Sequence, residues 1–155
     1  MKRCLWCLKE EGVTQFLNQA HTIPKSLGGK DINPNICDSC NSYFGNRNAQ
    51  DRISVEEILK ETFCITRERI QESTRQINPN KKGRFKSRFF EIRTKNGKPK
   101  LRIKSAFKLK KGFQRLACRY FKRAIYKLFL EELNRQTGVG YEEKYNFIRE
   151  FARYN

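Results

Sequence analysis

Six cysteines are present, and four of them form two Cys-x-x-Cys pairs, Cys4-Leu-Trp-Cys7 and Cys37-Asp-Ser-Cys40. Each pair makes a knuckle that presents two thiolates to one ion, and four thiolates complete the tetrahedral shell that Zn²⁺ prefers. In a reducing compartment, paired motifs of this kind are better explained as metal ligands than as disulfides. The sequence therefore predicts a structural zinc bound by all four residues.

The loop between the two pairs is the second feature whose residues could take part in chemistry. Twenty-nine residues separate Cys7 from Cys37, whereas about 15–20 are usual between the pairs of a zinc site. The loop contains His21, which is the only histidine, followed by Pro24 and the Gly28-Gly29 pair. His21 does not lie on an apolar periodic face. A lone histidine is usually structural, but the pattern that surrounds this one favours a functional role.

The order His-x-x-Pro, Gly-Gly, Cys-x-x-Cys-Asn resembles that of the HNH endonucleases, specifically the zinc-stapled subgroup. The resemblance covers about the first 50 residues. The matching residues are Cys4, Cys7, His21, Ile23, Pro24, Leu27, Gly28, Gly29, Asn35, Cys37, Cys40, Asn41, Phe44 and Gly45. It implies a ββα-metal fold, in which a β-hairpin carries the histidine, a helix follows, and a divalent cation is bound between them.

The resemblance also implies roles for individual side chains. Hydrolysis of a phosphodiester needs a base that activates water and a cation that offsets developing negative charge. His21 would be the general base, and Asn41 an oxygen ligand of Mg²⁺ or a similar cation. Asn35 would hold the histidine loop through hydrogen bonds, although Asn33 is an alternative for that role.

Position 20 departs from the family pattern. Family members commonly have an acidic residue directly before the histidine, where it helps to bind the cation, but this chain has Ala20. One amide oxygen can still bind Mg²⁺ together with phosphate oxygens and water, at reduced affinity, since this ion keeps several waters. An acid from elsewhere in the chain, such as Asp31, Asp38 or Asp51, could replace the missing one. The alternative is a catalytically weak or inactive zinc module that binds nucleic acid.

The positive charge is concentrated in one part of the chain. The formal net charge is +18, and residues 81–127 contain 19 Lys and Arg but one acid, so the remainder is neutral. This distribution is typical of a protein that neutralises phosphates. We expect nucleic acid as the partner, DNA rather than RNA by the resemblance, or else an acidic protein. The candidate contact residues are Lys25, Arg84, Lys86, Arg88, Lys98, Lys100, Arg102 and Lys104.

The elements that position these residues form an α+β architecture in two parts. We expect a zinc-stapled ββα-metal module over residues 1–52, and a helical extension over 53–155 with a basic β-hairpin at about 84–107. Helices are predicted over 39–49, 54–74 with Ser54 as N-cap, 113–136 and 141–154. Asn96-Gly97 between two alternating runs predicts a type I′ turn. Cys64 and Cys118 are expected to be buried.

Targeting features are absent from the sequence. It has no apolar run of 18 residues, and the N-terminus lacks the apolar region of a signal peptide. We therefore expect a soluble protein of the cytoplasm that does not bind membranes.

Overall fold

A computed structural model describes residues 1–47, 53–64, 66, 87–107 and 111–154. These residues form four α-helices and two small antiparallel hairpins, which confirms the predicted α+β class. None of the helices in these ranges is both long enough and apolar enough to cross a membrane.

The first hairpin and the first helix follow the predicted ββα order. Strand β1 (Ala20–His21) pairs antiparallel with β2 (Ile32–Asn33), and helix α1 (Asp38–Gly45) comes next. The turn between the strands needs glycine at position 29, because a Cβ built there would lie 1.9 Å from the carbonyl oxygen of Ile23. Gly29 is therefore required where the chain passes close to the Ile23 backbone.

Helix α2 (Val55–Thr62) begins at the predicted N-cap. The Ser54 hydroxyl accepts a hydrogen bond from the backbone N–H of Glu57 at 3.0 Å, which satisfies one of the free donors of the first turn. This helix ends at Thr62, with Phe63 as its C-cap, so it is shorter than predicted. Residues 67–74 of the prediction lie outside the described residues.

The second hairpin, which we call the basic ribbon, consists of β3 (Phe90–Lys95) and β4 (Lys98–Ile103). Asn96 and Gly97 both have positive φ, 52° and 70°, as a type I′ turn requires. The turn prediction is therefore confirmed.

Helix α3 (Lys111–Thr137) is the longest element. It ends as predicted at Gly138, whose φ is 75° and whose N–H donates to the Asn134 carbonyl at 2.9 Å. A left-handed residue of this kind is a common helix terminus, and glycine adopts it without strain.

The C-terminal segment differs from the continuous helix predicted over 141–154. It consists of 3₁₀ turns at Val139–Tyr141 and Glu143–Tyr145, a short helix α4 (Asn146–Arg149) and a wider π-type turn at Glu150–Tyr154. The buried Arg149 side chain explains the interruption, since it donates to the carbonyls of Leu5, Gly140 and Glu142. The guanidinium binds the Gly140 and Glu142 carbonyls, and the backbone there forms a 3₁₀ turn, with the Glu142 N–H donating to the Val139 carbonyl at 3.1 Å.

One apolar core joins the N-terminal hairpin and helix to the later helices. Its buried members include Trp6 and Phe44 from the N-terminal part, Leu59 from α2, Leu130 from α3 and Ile148 from α4. The division into parts at residue 52 stays a prediction, and buried contacts cross that position.

A smaller apolar cluster lies under the basic ribbon, where Phe89 packs with Ile53, Ile58 and Tyr120.

The two cysteines outside the zinc cluster, Cys64 and Cys118, have different environments. Cys64 is buried, as expected, but Cys118 is exposed, so the prediction for Cys118 was wrong. Position 118 lies on a solvent-facing part of α3, which the local apolar pattern did not reveal.

Candidate functional site

The four predicted zinc ligands converge. The Sγ atoms of Cys4, Cys7, Cys37 and Cys40 all lie within 4.8 Å of one another, and those of Cys7 and Cys37 are 3.7 Å apart. A tetrahedral site with Zn–S bonds of about 2.3 Å places its sulfurs about 3.8 Å apart. The cluster therefore fits a metal such as zinc, in agreement with the spacing of the two motifs.

Crowding of the four sulfurs separates their pKa values. A hydrogen bond from Cys40 lowers the pKa of Cys4 to about 4, and the same contact raises the pKa of Cys40. Burial raises the pKa of Cys7 to about 11. Four adjacent thiolates repel one another, so their joint ionisation requires a bound cation, and a divalent metal supplies that charge.

A second site lies between the hairpin and α1. His21 of β1 and Asn41 of α1 line one open cleft of about 560 Å³, together with Pro24 and Lys25. The His21 Nδ1 atom is 3.3 Å from the Gln19 carbonyl oxygen. A carbonyl only accepts, so Nδ1 carries the hydrogen in this contact and Nε2 keeps its lone pair. In this tautomer, Nε2 is the nitrogen that can accept a proton.

Asp31 and Asp38, two of the acids that the sequence offered in place of Ala20, do not line this cleft. Asp38 accepts the backbone N–H groups of Leu17 and Asn18, at 3.2 and 2.8 Å, and the bond from Asn18 lowers its pKa. Asp31 lies 3.8 Å from Arg135 on the surface, and Asp51 lies outside the described residues. The Ala20 side chain itself is buried in the core.

Glu56, which the sequence analysis did not select, lines the cleft from α2. Its side chain is only 14% exposed. Among the described residues that line the cleft, it is the one carboxylate. The local sequence marks Glu56 as an acid in the first turn of a helix, but only the packing of α2 beside α1 reveals that it lines the same cleft as His21 and Asn41.

Of Asn35 and Asn33, the two candidates for the loop-holding role, Asn33 is the one whose side chain makes hydrogen bonds within the described residues. Asn33 is buried, its Oδ1 accepts from the Asn35 backbone N–H at 3.1 Å, and its Nδ2 donates to the Glu131 carbonyl at 3.2 Å. Asn35 contributes its backbone, since its carbonyl accepts from the Leu5 N–H at 2.8 Å. Asn33 thereby connects the second strand to α3.

Lys127 fastens the histidine strand to α3. Its Nζ donates to the carbonyls of His21 and Thr22, at 3.1 and 3.2 Å, and to Glu131 at 2.9 Å. Glu131 is fully buried and also accepts from the Trp6 indole at 2.9 Å. Burial raises the pKa of Glu131 to about 7, against the opposing effect of Lys127. From sequence, this i,i+4 pair resembles an ordinary surface ion pair.

The basic ribbon has one charged and one apolar face. Its register places Glu91 opposite Arg102, Arg93 opposite Lys100 and Lys95 opposite Lys98. Directly opposed residues of an antiparallel pair share a face, so five bases and one acid lie together. Lys98, Lys100 and Arg102, which the sequence analysis selects as candidate contact residues, are exposed. Arg93 and Lys95 were not selected, although the Asn-Gly turn fixes the register that places them on the same face.

The other predicted contact residues have varied surroundings. Lys25 is exposed at the rim of the cleft. Arg88 lies 3.4 Å from Glu57, and the Lys104 Nζ donates to the Ser87 carbonyl at 2.7 Å, so both bases take part in holding the ribbon in place. Arg84 and Lys86 lie outside the described residues.

Comparison with known families agrees with this geometry. Residues 4–54 match the family model described as HNH endonuclease. This segment contains both cysteine pairs, the hairpin and α1, so the resemblance deduced from the motifs is confirmed for it. The chain has no significant match among curated proteins or solved structures. An HNH endonuclease segment indicates a nuclease-type function with nucleic acid as the substrate.

Proposed function

We propose that the protein is a metal-dependent endonuclease that hydrolyses phosphodiester bonds in DNA at the His21–Asn41 cleft. The main support is geometric: a histidine with an available Nε2 and an amide side chain line the same open cleft. The HNH endonuclease match of residues 4–54 supports the reaction class. The preference for DNA over RNA rests on the family resemblance alone.

In the proposed reaction, His21 Nε2 accepts a proton from the attacking water while Nδ1 stays hydrogen-bonded to the Gln19 carbonyl. The fixed tautomer keeps the basic nitrogen directed away from that carbonyl. Asn41 would hold the divalent cation through its amide oxygen. When bound, that cation supplies positive charge for the phosphate and the leaving oxygen.

We assign the positioning of His21 to residues that lie outside the cleft and hold the two strands of the hairpin. Lys127 holds the backbone of His21 and Thr22, and Asn33 holds the second strand against α3. Catalysis depends strongly on how accurately reacting groups are oriented. We therefore propose that α3 supports the active site even though its residues do not take part in the chemistry.

The second candidate is a zinc-stapled module that binds nucleic acid without cleaving it. The observation in its favour is Ala20, which is buried and offers no carboxylate at the position before the histidine. The basic ribbon serves either candidate, because phosphate contacts position a nucleic acid whether or not it is cut.

Substitutions on the basic ribbon test its proposed role in binding. Lys98→Gln/Lys100→Gln should weaken binding to duplex DNA and reduce the slope of log K against log salt by roughly 2, since each lost phosphate contact removes about 0.9. A fluorescence anisotropy titration at several salt concentrations measures this slope. The matched control is Lys9→Gln/Lys144→Gln, which removes two exposed lysines from the neutral remainder of the chain. Equal slopes for the two variants would contradict a specific role for the ribbon.

The proposed activity is tested with the full-length, zinc-bound protein. Supercoiled plasmid, linear duplex DNA and single-stranded RNA are incubated with added Mg²⁺, Mn²⁺ or Ni²⁺, and without added cation. We expect nicked or linear plasmid only when a divalent cation is added. Absence of cleavage above a His21→Ala control, for every substrate and cation, would overturn the proposal and favour the binding module.

A further inference from the structure

Glu56 is placed to take part in the proposed cation site, although it lies beyond the segment that matches the HNH endonuclease model. It is the second residue of α2, and its carboxylate lines the cleft that contains His21 and Asn41. Among the described residues, its side chain forms ion pairs with two lysines, Lys60 and Lys127. Its location in the cleft therefore calls for a functional explanation.

The position of the carboxylate relative to α1 is defined by Gly45. A Cβ built on Gly45 would lie 4.0 Å from Glu56 Oε2. Gly45 follows Asn41 by four residues, so the two positions share one face of the helix. The Glu56 carboxylate thus lies over the same side of α1 as the Asn41 amide.

The two lysine neighbours of Glu56 do not saturate its carboxylate oxygens. The Nζ atoms of Lys60 and Lys127 lie 3.4 and 3.6 Å from the carboxylate, which is longer than the roughly 2.7–2.9 Å of a charge-assisted hydrogen bond. A lysine has three hydrogens to donate, and Lys127 donates to His21, Thr22 and Glu131. The Glu56 oxygens therefore retain lone pairs directed at the cleft.

We propose that Glu56 supplies the carboxylate ligand that Ala20 cannot provide, so that a divalent cation is held between Glu56 and Asn41. Mg²⁺ and Mn²⁺ are commonly bound by one or two carboxylates while they keep several waters. The acid would thus come from α2 instead of the strand residue before the histidine. This inference rests on the proposed function, because it concerns the cation of the same site.

Mn²⁺ binding tests the inference without relying on cleavage. Full-length, zinc-bound protein is titrated with Mn²⁺, and free Mn²⁺ is measured by electron paramagnetic resonance. Loss of a ligand should weaken binding at least about tenfold, since even outer-shell partners of metals contribute 10–100-fold. We expect this loss for Glu56→Gln and for Asn41→Ala, with Glu56→Asp binding more tightly than Glu56→Gln because it keeps a carboxylate.

The matched control is Glu57→Gln. Glu57 is adjacent in α2, but it pairs with Arg47 and Arg88 and does not line the cleft. Mn²⁺ affinity should stay at the wild-type value in this variant. Thermal unfolding of each protein separates loss of a ligand from loss of the fold. If Glu56→Gln does not fold, the Mn²⁺ affinity of Glu56→Asp is compared with that of wild type and of Asn41→Ala instead.

Two results would overturn the role of Glu56: a Glu56→Gln variant that binds Mn²⁺ as tightly as wild type, or wild-type protein that does not bind Mn²⁺. If the first occurs while cleavage depends on His21, only this inference fails. If Glu56→Gln loses Mn²⁺ but His21→Ala cleaves like wild type, the proposed function fails and the cation site stands.

Discussion

Replacing Cys40 with serine is expected to leave the N-terminal module without a stable fold. Cys4, Cys37 and Cys40 are buried beside Trp6 and Phe44, so the metal site and the core form one unit. Binding of a structural zinc contributes about 10–16 kcal/mol to the folding of small domains. The whole free energy of unfolding of a typical protein is only about 5–15 kcal/mol, so loss of the zinc can cancel it. We expect Cys40→Ser to lose bound zinc and the cooperative thermal transition, measured by metal analysis and circular dichroism.

Cys118→Ser is the control for this substitution. Cys118 is exposed and lies outside the zinc cluster, so zinc content and unfolding temperature should stay unchanged. Retention of zinc and of the wild-type transition in Cys40→Ser would contradict a structural role for the cluster.

Replacing Lys127 with methionine should destabilise the protein by about 3–5 kcal/mol, the usual cost of removing one partner from a buried ion pair. The change leaves Glu131 buried without its cation and removes the donor for the His21 and Thr22 carbonyls. Both effects disturb the strand that carries the proposed base. Urea unfolding followed by circular dichroism measures the free energy of unfolding.

Two further variants make the Lys127 result specific. Lys122→Met removes an exposed lysine from the same helix and should change the unfolding free energy by less than about 0.5 kcal/mol. Lys127→Met/Glu131→Leu replaces both partners of the pair with apolar groups and should recover part of the loss, as buried pairs often tolerate joint replacement. A Lys127→Met variant as stable as Lys122→Met would show that the buried network does not hold α3 to the hairpin.

Local sequence was sufficient for features that depend on a few neighbouring residues. The cysteine spacing predicted the metal cluster, Asn96-Gly97 predicted the ribbon turn, and Ser54 and Gly138 predicted a helix start and a helix end. Each of these depends on backbone geometry or on ligand spacing over a short stretch. The chemistry of those residue types therefore determined the result without knowledge of the tertiary structure.

Features that depend on distant segments were not accessible in the same way. Glu56 faces the cleft only because α2 packs near α1, and Lys127 reaches His21 over a separation of 106 residues. The 139–154 segment breaks into turns because Arg149 binds the carbonyl of Leu5, far away in sequence. Polar side chains that are buried by tertiary contacts look like surface residues in the sequence, so their roles emerged only from the structure.

The most direct test of the account compares cleavage and DNA binding by wild-type and His21→Ala protein from matched preparations with equal zinc content. Loss of a general base typically reduces the rate by about 10²–10⁴-fold. We predict a loss of this size in single-turnover cleavage with Mg²⁺ or Mn²⁺, and binding within about twofold of wild type, because phosphate contacts to the basic ribbon are preserved. Equal cleavage rates for the two proteins, or wild-type protein that binds DNA but never cuts it, would contradict the account.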